Sequence, residues 1–178
     1  EKVVRRLRAK TALPIRQIVS EIIVQAENLI DIEGPEDTEE DRPMKTAISN
    51  VAPGQVVKFH GEPCIALEHR TAGTLLVTAA QIKSSFGSTN NFAVSSFREH
   101  LNGAFADALT EGHADELITR EVDLTALNGS KEYGSCECKV APLTFDEIRR
   151  FHGLLPRPES WEWSATPWST PCVDEDDT

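Results

Sequence analysis

The sequence predicts an α+β fold, and three observations carry that expectation. Between Ile48 and Thr78, short apolar segments alternate with Pro-Gly, His-Gly and Thr-Ala-Gly turns, the pattern of an antiparallel meander. After Ser95 the apolar spacing changes to fours behind a polar cap, the pattern of short helices. Trp161 to Pro171 then holds all three tryptophans of the chain among small residues and prolines, and reads as a short strand running into a rigid loop.

Length and charge bound the rest. The chain has 178 residues, enough for one domain plus an appendage, and a formal net charge of -11. That acidic balance argues against a general nucleic-acid binder. Charge is unevenly spread: Glu1 to Arg16 carries six basic residues against one acid, and Asp31 to Arg42 carries seven acids against one base. The basic end reads as a solvated helix face or as a contact for an acidic partner. The longest apolar-rich run, Ile15 to Ile32, is interrupted by Arg16, Glu21, Glu27 and Asp31, so no membrane span is expected. Four cysteines are too few for a disulfide framework, which makes a cytoplasmic, reduced setting the expectation.

Three parts follow in chain order. Residues 1–32 are expected to form an amphipathic, coiled-coil-like helix, restarted at Pro14. Ile15, Ile18, Ile22, Leu29 and Ile32 fit a three-four spacing, with Gln25 as the polar position between them. This stripe reads either as a self-association or partner-binding surface or as a helix packed on its own domain. A strand through Ile22-Ile23-Val24 is the alternative. Residues 33–45 read as an acidic linker opened by Gly34-Pro35. Residues 46–178 form the folded domain.

Within that domain, Gln55 to Phe59, Cys64 to His69 and Thr74 to Thr78 are the expected strands, with His60 and His69 as exposed turn residues. Gln81 to Asn91 reads as a surface loop. Ser95 caps a helix whose face is Phe97, Leu101, Phe105 and Leu109, with Gly103 as its weak point. A second short helix is expected over 112–118, extended chain at 121–124, a tight turn at Asn128-Gly129 and a strand over 139–143. Thr144 and Glu147 form a capping box in front of a helix from Phe145 to Phe151.

The chemistry-bearing residue types are sparse. Cys136-Glu137-Cys138, with His152 and Cys172 downstream, gives one close thiol pair where a structural zinc site wants two. There is no nucleophile elbow and no phosphate loop. Asp146 and Glu147 are explained as acids of a helix first turn. The run Asp174 to Asp177 reads as a solvated tail, with a calcium site as its alternative. No cofactor or metal is expected, and nothing compels an enzyme.

Three ordered blocks carry a resemblance. Ser95-x-x-Arg98-x-x-Leu101-Asn102-x-x-Phe105, the segment Val140 to Glu147, and Trp161-Glu162-Trp163-Ser164-Ala165-Thr166-Pro167-Trp168 together resemble an uncharacterised domain family of Gram-positive gut bacteria and their phages. That family is similar to C-type-lectin-like folds and, more distantly, to formylglycine-generating sulfatase-modifying factors. The resemblance covers roughly Ile48 to Pro171 and implies a lectin-like domain, with closing strands that would lie beyond Thr178. It implies that Trp161 and Trp163 sit in the interior, leaving Trp168 as the surface candidate.

Three functions are compatible with these readings. The first is a non-enzymatic binding or display module, a lectin-like domain on an oligomerising helix, with an unknown ligand and a phage structural or host-contact role. The second is an enzyme related to the formylglycine-generating factors, which needs a reactive thiol. The third is an intracellular interaction protein that grips a protein partner through the N-terminal stripe.

Overall fold

Two apolar hairpins form the centre of the molecule. In the computed structural model, residues 16–18, 20–24, 29–32, 45–79, 82–157 and 162–170 are described, the first three stretches, residues 45–46 and Lys83 as backbone only. The strands, in chain order, are β1 (Arg16–Ile18), β2 (Ser20–Val24), β3 (Leu29–Ile32), β4 (Lys45–Ala47), β5 (Val56–Phe59), β6 (Glu62–Arg70), β7 (Gly73–Thr78), β8 (Ile82–Ser84), β9 (Arg120–Asp123), β10 (Ser135–Cys138) and β11 (Val140–Pro142). His60 and Gly61 both take positive φ (47° and 81°), the left-handed pair that a two-residue hairpin turn between right-twisted strands requires. β6 pairs antiparallel with β5 and with β7, and a bulge lies between Ala66 and Glu68.

The period of two in these strands sorts the core into two layers. Cys64, Ala66 and Leu76 face a large cluster that includes Ile48, Phe86, Phe92, Phe97, Leu101 and Leu124. Ile65, Leu67, Leu75 and Val77 face the other way, onto Leu143 and Phe151. All six residues of β7 are buried, as expected of a strand covered on both faces.

The N-terminal helix is replaced, where the chain is described, by strands. Ile22 stands opposite Leu76 of β7 and Val140 of β11, and Ile32 stands opposite Val57 of β5. Leu29 stands opposite Ala47, and Ile18 opposite Ile82. The physical reason is twofold. Ile22, Ile23 and Val24 are β-branched and lose χ1 freedom in a helix. In addition, the meander offers two open edges, β5 and β7, whose backbone groups need partners. Those ladder bonds outweigh a local three-four spacing. Residues 1–15, and with them Ile15, lie outside the described residues, as does Gln25.

β2 and β3 do more than add to the edges. The sheet order is β11-β2-β7-β6-β5-β3-β4, so β2 and β3 sit on opposite sides of the meander. Only residues 25–28 separate Val24 from Leu29. The N-terminal segment thus pairs with both open edges of the β5–β6–β7 meander.

A helical layer covers one face. α1 (Ser96–His100) runs through a π-helical turn (Leu101–Phe105) into α2 (Ala106–Leu109), and the break is at Gly103, with φ −112° and ψ −106°. α3 (Phe145–Phe151) starts at the expected capping box: Glu147 N donates to Thr144 Oγ1 at 3.2 Å, and Thr144 N donates to Glu147 Oε2 at 3.0 Å. The other carboxylate oxygen of Glu147 accepts from Arg120 Nη1 at 2.8 Å, in the interior, with Arg70 Nη2 at 3.6 Å. Glu68 links Arg70 to Arg150 and extends the chain of charges from β6 to α3.

Other expectations are corrected in detail. The helix expected over 112–118 is a single 3-10 turn, Ala114–Glu116, because Gly112 at φ 90° turns the chain away. The loop expected over 81–91 contains β8, and Phe86 within it is buried. β10 was not foreseen, since its alternation rests on Cys136 and Cys138 rather than on Val or Ile. Of the expected linker, residues 33–44 lie outside the described residues, and Lys45 belongs to β4. Among the described residues, no helix is long and apolar enough to cross a membrane.

Candidate functional site

The Trp-rich segment divides between interior and surface. Trp163 is half-buried, its ring 5.0 Å from Phe86, which in turn contacts Phe92 and Phe97. Ala165 and Pro167 are buried, and Ala165 N donates to the Leu143 carbonyl at 3.1 Å. Trp168, one residue beyond buried Pro167, is 79% exposed. Trp161 lies outside the described residues.

The ridge that carries Trp168 is fastened on three sides. Leu127 N donates to the Pro167 carbonyl at 2.9 Å, and Asn128 N donates to the Trp168 carbonyl at 3.3 Å. Phe145 N donates to Thr166 Oγ1 at 3.0 Å, which ties the ridge to the start of α3. Asn90 Nδ2 donates to the Ser169 carbonyl at 2.8 Å, and Asn90 Oδ1 accepts from the Tyr133 hydroxyl at 2.7 Å. Proline fixes its own φ, so Trp168 is presented from a backbone with little freedom left.

Between this ridge and the 86–90 loop runs a groove of about 570 Å³. Phe86 and the two indoles of Trp163 and Trp168 give it apolar surface, and Ser88, Thr89 and Asn90 give it hydroxyl and amide groups. Glu162 is the single charged residue among those lining it. An open groove that mixes indole faces with neutral hydrogen-bonding groups suits a neutral, hydroxyl-rich ligand, which stacks its C–H faces on the rings and shares hydrogen bonds with the rim.

Ser95, Arg98, Leu101, Asn102 and Phe105, also singled out in the sequence, are not among the residues lining this groove and hold the frame. Ser95 Oγ accepts from Arg98 N at 3.1 Å and so caps α1. Arg98 Nη2 donates to the Glu137 carbonyl at 2.9 Å. Leu101 is fully buried, and Phe105 packs against the same cluster. Asn102 uses its whole amide: Oδ1 accepts from Lys139 N (2.7 Å) and Val140 N (3.0 Å), and Nδ2 donates to the carbonyls of Val140 (2.8 Å) and Arg98 (3.0 Å). The Ser-Arg-Leu-Asn block thus bolts the helical layer to the β10–β11 corner. Thr166 and Pro167 belong to the ridge itself.

The thiols make no metal centre with described residues: no group of three or more His, Cys, Asp or Glu side chains is placed to hold an ion. Cys136 and Cys138 face the core from alternate positions of β10, and His152 lies elsewhere, at the end of α3. Burial pushes the Cys138 thiol up to about 12, with the Cys136 thiol adding to it and Arg120 and Arg98 opposing. Burial, helped by Glu62, likewise pushes Cys64 up to about 12. Such thiols hold their protons at neutral pH and are poor nucleophiles. Cys172 lies outside the described residues.

The groove residues missed by the sequence reading are Phe86 and Ser88 to Asn90. The signal available was the single aromatic in an otherwise polar loop. No family model, curated protein or solved structure matches the chain.

Proposed function

We propose that this chain is a non-enzymatic binding module, lectin-like in its manner of recognition, whose ligand lies in the groove beside Trp168. The observation that carries the reading is a large indole, 79% exposed, on a ridge whose backbone is hydrogen-bonded on both sides. Exposing such a ring has no packing benefit within the chain, and rigid exposed tryptophans are the anchors of binding surfaces. The ligand class is a neutral hydroxylated chain such as an oligosaccharide. The kinship with the phage and gut-bacterial lectin-like family remains part of this proposal and rests on the three sequence blocks.

Glycan-array binding of the full chain, followed by tryptophan fluorescence titration with the sugars that score, tests it. Trp168→Ala is expected to abolish saturable binding while leaving the melting temperature within about 2 °C. Equal binding by the variant, or no sugar bound by either protein, would sink the reading.

Display on a self-associating N-terminal segment is the second half of the proposal, with Ile15, Ile18, Ile22, Gln25, Leu29 and Ile32 as the residues involved. Because β2 and β3 are built into the sheet, removing residues 1–32 is not a clean test. Sedimentation of the full chain is: a concentration-independent monomer overturns this half and leaves the groove untouched.

A further inference from the structure

We propose a second, small-molecule site: a cleft at the C-terminal end of α3 that takes an apolar monocarboxylate. Its volume is about 330 Å³, at the small end for small-molecule sites. It adjoins the groove at Glu162 and Trp163, which line both, but its chemistry differs. The walls are Leu143, Ile148, Leu155, Pro156 and Trp163. Leu143 belongs to the second core cluster, and Ile148 and Leu155 pack against that cluster, so the apolar lining is continuous with the interior.

The rim supplies the charge. Residues 149–157 read Arg-Arg-Phe-His-Gly-Leu-Leu-Pro-Arg, with no acid among them, in a chain whose net charge is -11. Arg149 is engaged by Asp146 at 2.9 Å and Arg150 by Glu68. His152 Nδ1 donates to the Arg149 carbonyl at 3.0 Å, which fixes the ring against the end of α3. Arg157 lines the cleft, is exposed, and makes no ion pair with a described residue.

A guanidinium beside an apolar cleft matches a ligand with a hydrocarbon body and one carboxylate, which a guanidinium grips through two parallel hydrogen bonds. The cleft is too small for a helix or a folded partner. This site does not depend on the groove reading.

The test uses the full chain and 3-phenylpropionate, titrated by calorimetry, with the neutral 3-phenylpropanol as comparison. Saturable one-to-one binding of the acid is expected, at least about tenfold tighter than the alcohol. Arg157→Gln, at an exposed position, is expected to weaken the acid about tenfold or more and to leave the alcohol unchanged. Ile148→Trp, which fills the cleft, is expected to abolish both while circular dichroism stays native. Trp168→Ala is expected to change neither, which separates this site from the groove. Absence of saturable binding by the unaltered chain, equal affinity for acid and alcohol, or an Arg157→Gln variant that binds the acid undiminished would each overturn the proposal.

Discussion

Asn102 shows how much one side chain can carry. Its amide replaces four backbone partners at a corner where two strands change direction. Asn102→Ala leaves the amides of Lys139 and Val140 without that acceptor, so a loss of about 3 kcal/mol is expected in urea unfolding. Trp163→Ala is expected to cost roughly 3 kcal/mol, the lower end for a large aromatic, because Trp163 is only half-buried. A melting temperature unchanged by that substitution would return Trp163 to the surface. His69, read from the sequence as an exposed turn residue, is exposed but lies in β6 and fastens two elements: Nε2 donates to the Val51 carbonyl at 2.7 Å, and Nδ1 accepts from the Thr74 hydroxyl at 2.8 Å. Nothing in the local sequence marks that role, since Val51 lies eighteen residues away.

The buried thiols give a residue-scale prediction in pH. Below the ordinary thiol value of 9.0, folded and unfolded chains both hold the Cys64 proton. Between that value and about 12, only the unfolded chain loses it, so stability falls as pH rises through the window. The slope is at most about 1.4 kcal/mol per pH unit for each thiol. Cys64→Ala is expected to flatten that alkaline slope by one thiol's share, whatever its effect at neutral pH. An unchanged slope from pH 9 to 11 would show that Cys64 is not desolvated.

At the scale of the element, α3 was legible because its start is written locally: Thr144 and Glu147 are three residues apart and cap each other without help from the rest of the fold. What the local pattern hid is the second job of Glu147, its pairing with Arg120 from β9. Thr144→Ala is expected to cost about 1 kcal/mol, the usual loss of a cap. Glu147→Gln is expected to cost about 3 kcal/mol, because it removes a carboxylate from a guanidinium that is 9% exposed. Equal costs for the two variants would reduce Glu147 to a capping residue. The N-terminal segment is the opposite case. Its three-four spacing is compatible with a helix, and Gln25 and Pro14 give no veto, so the sequence alone leaves helix and strand in competition.

For the molecule as a whole, the position of that segment is the main structural result. β2 lies between β7 and β11, so its ladder bonds hold two parts of the sheet together. Amides of Ile22 and Ile23 are expected to exchange with solvent as slowly as those of Leu75 and Leu76, their partners in β7. Fast exchange at Ile22 with slow exchange at Leu76 would separate the segment from the sheet. The groove beside Trp168 also exists only at this scale. Its two walls, the 86–90 loop and the segment from Glu162 to Ser169, are far apart in sequence and meet because Asn90 bonds the Ser169 carbonyl while Leu127 and Asn128, from the turn after β9, hold Pro167 and Trp168.

The sequence by itself determined the α+β class, the β5–β6–β7 meander, the capped helices and the surface position of Trp168. Each of these is set by interactions within a few residues: turn geometry, apolar period, a cap, a proline beside an indole. Only the tertiary structure decided that Ile18, Ile22, Leu29 and Ile32 lie in strands, that Asn102 and Glu147 each serve two elements, and that a groove and a cleft flank Trp163. Those outcomes depend on which backbone edges remain open once the meander has formed, and on which loops the completed sheet brings together. Neither quantity is a property of any local window of residues.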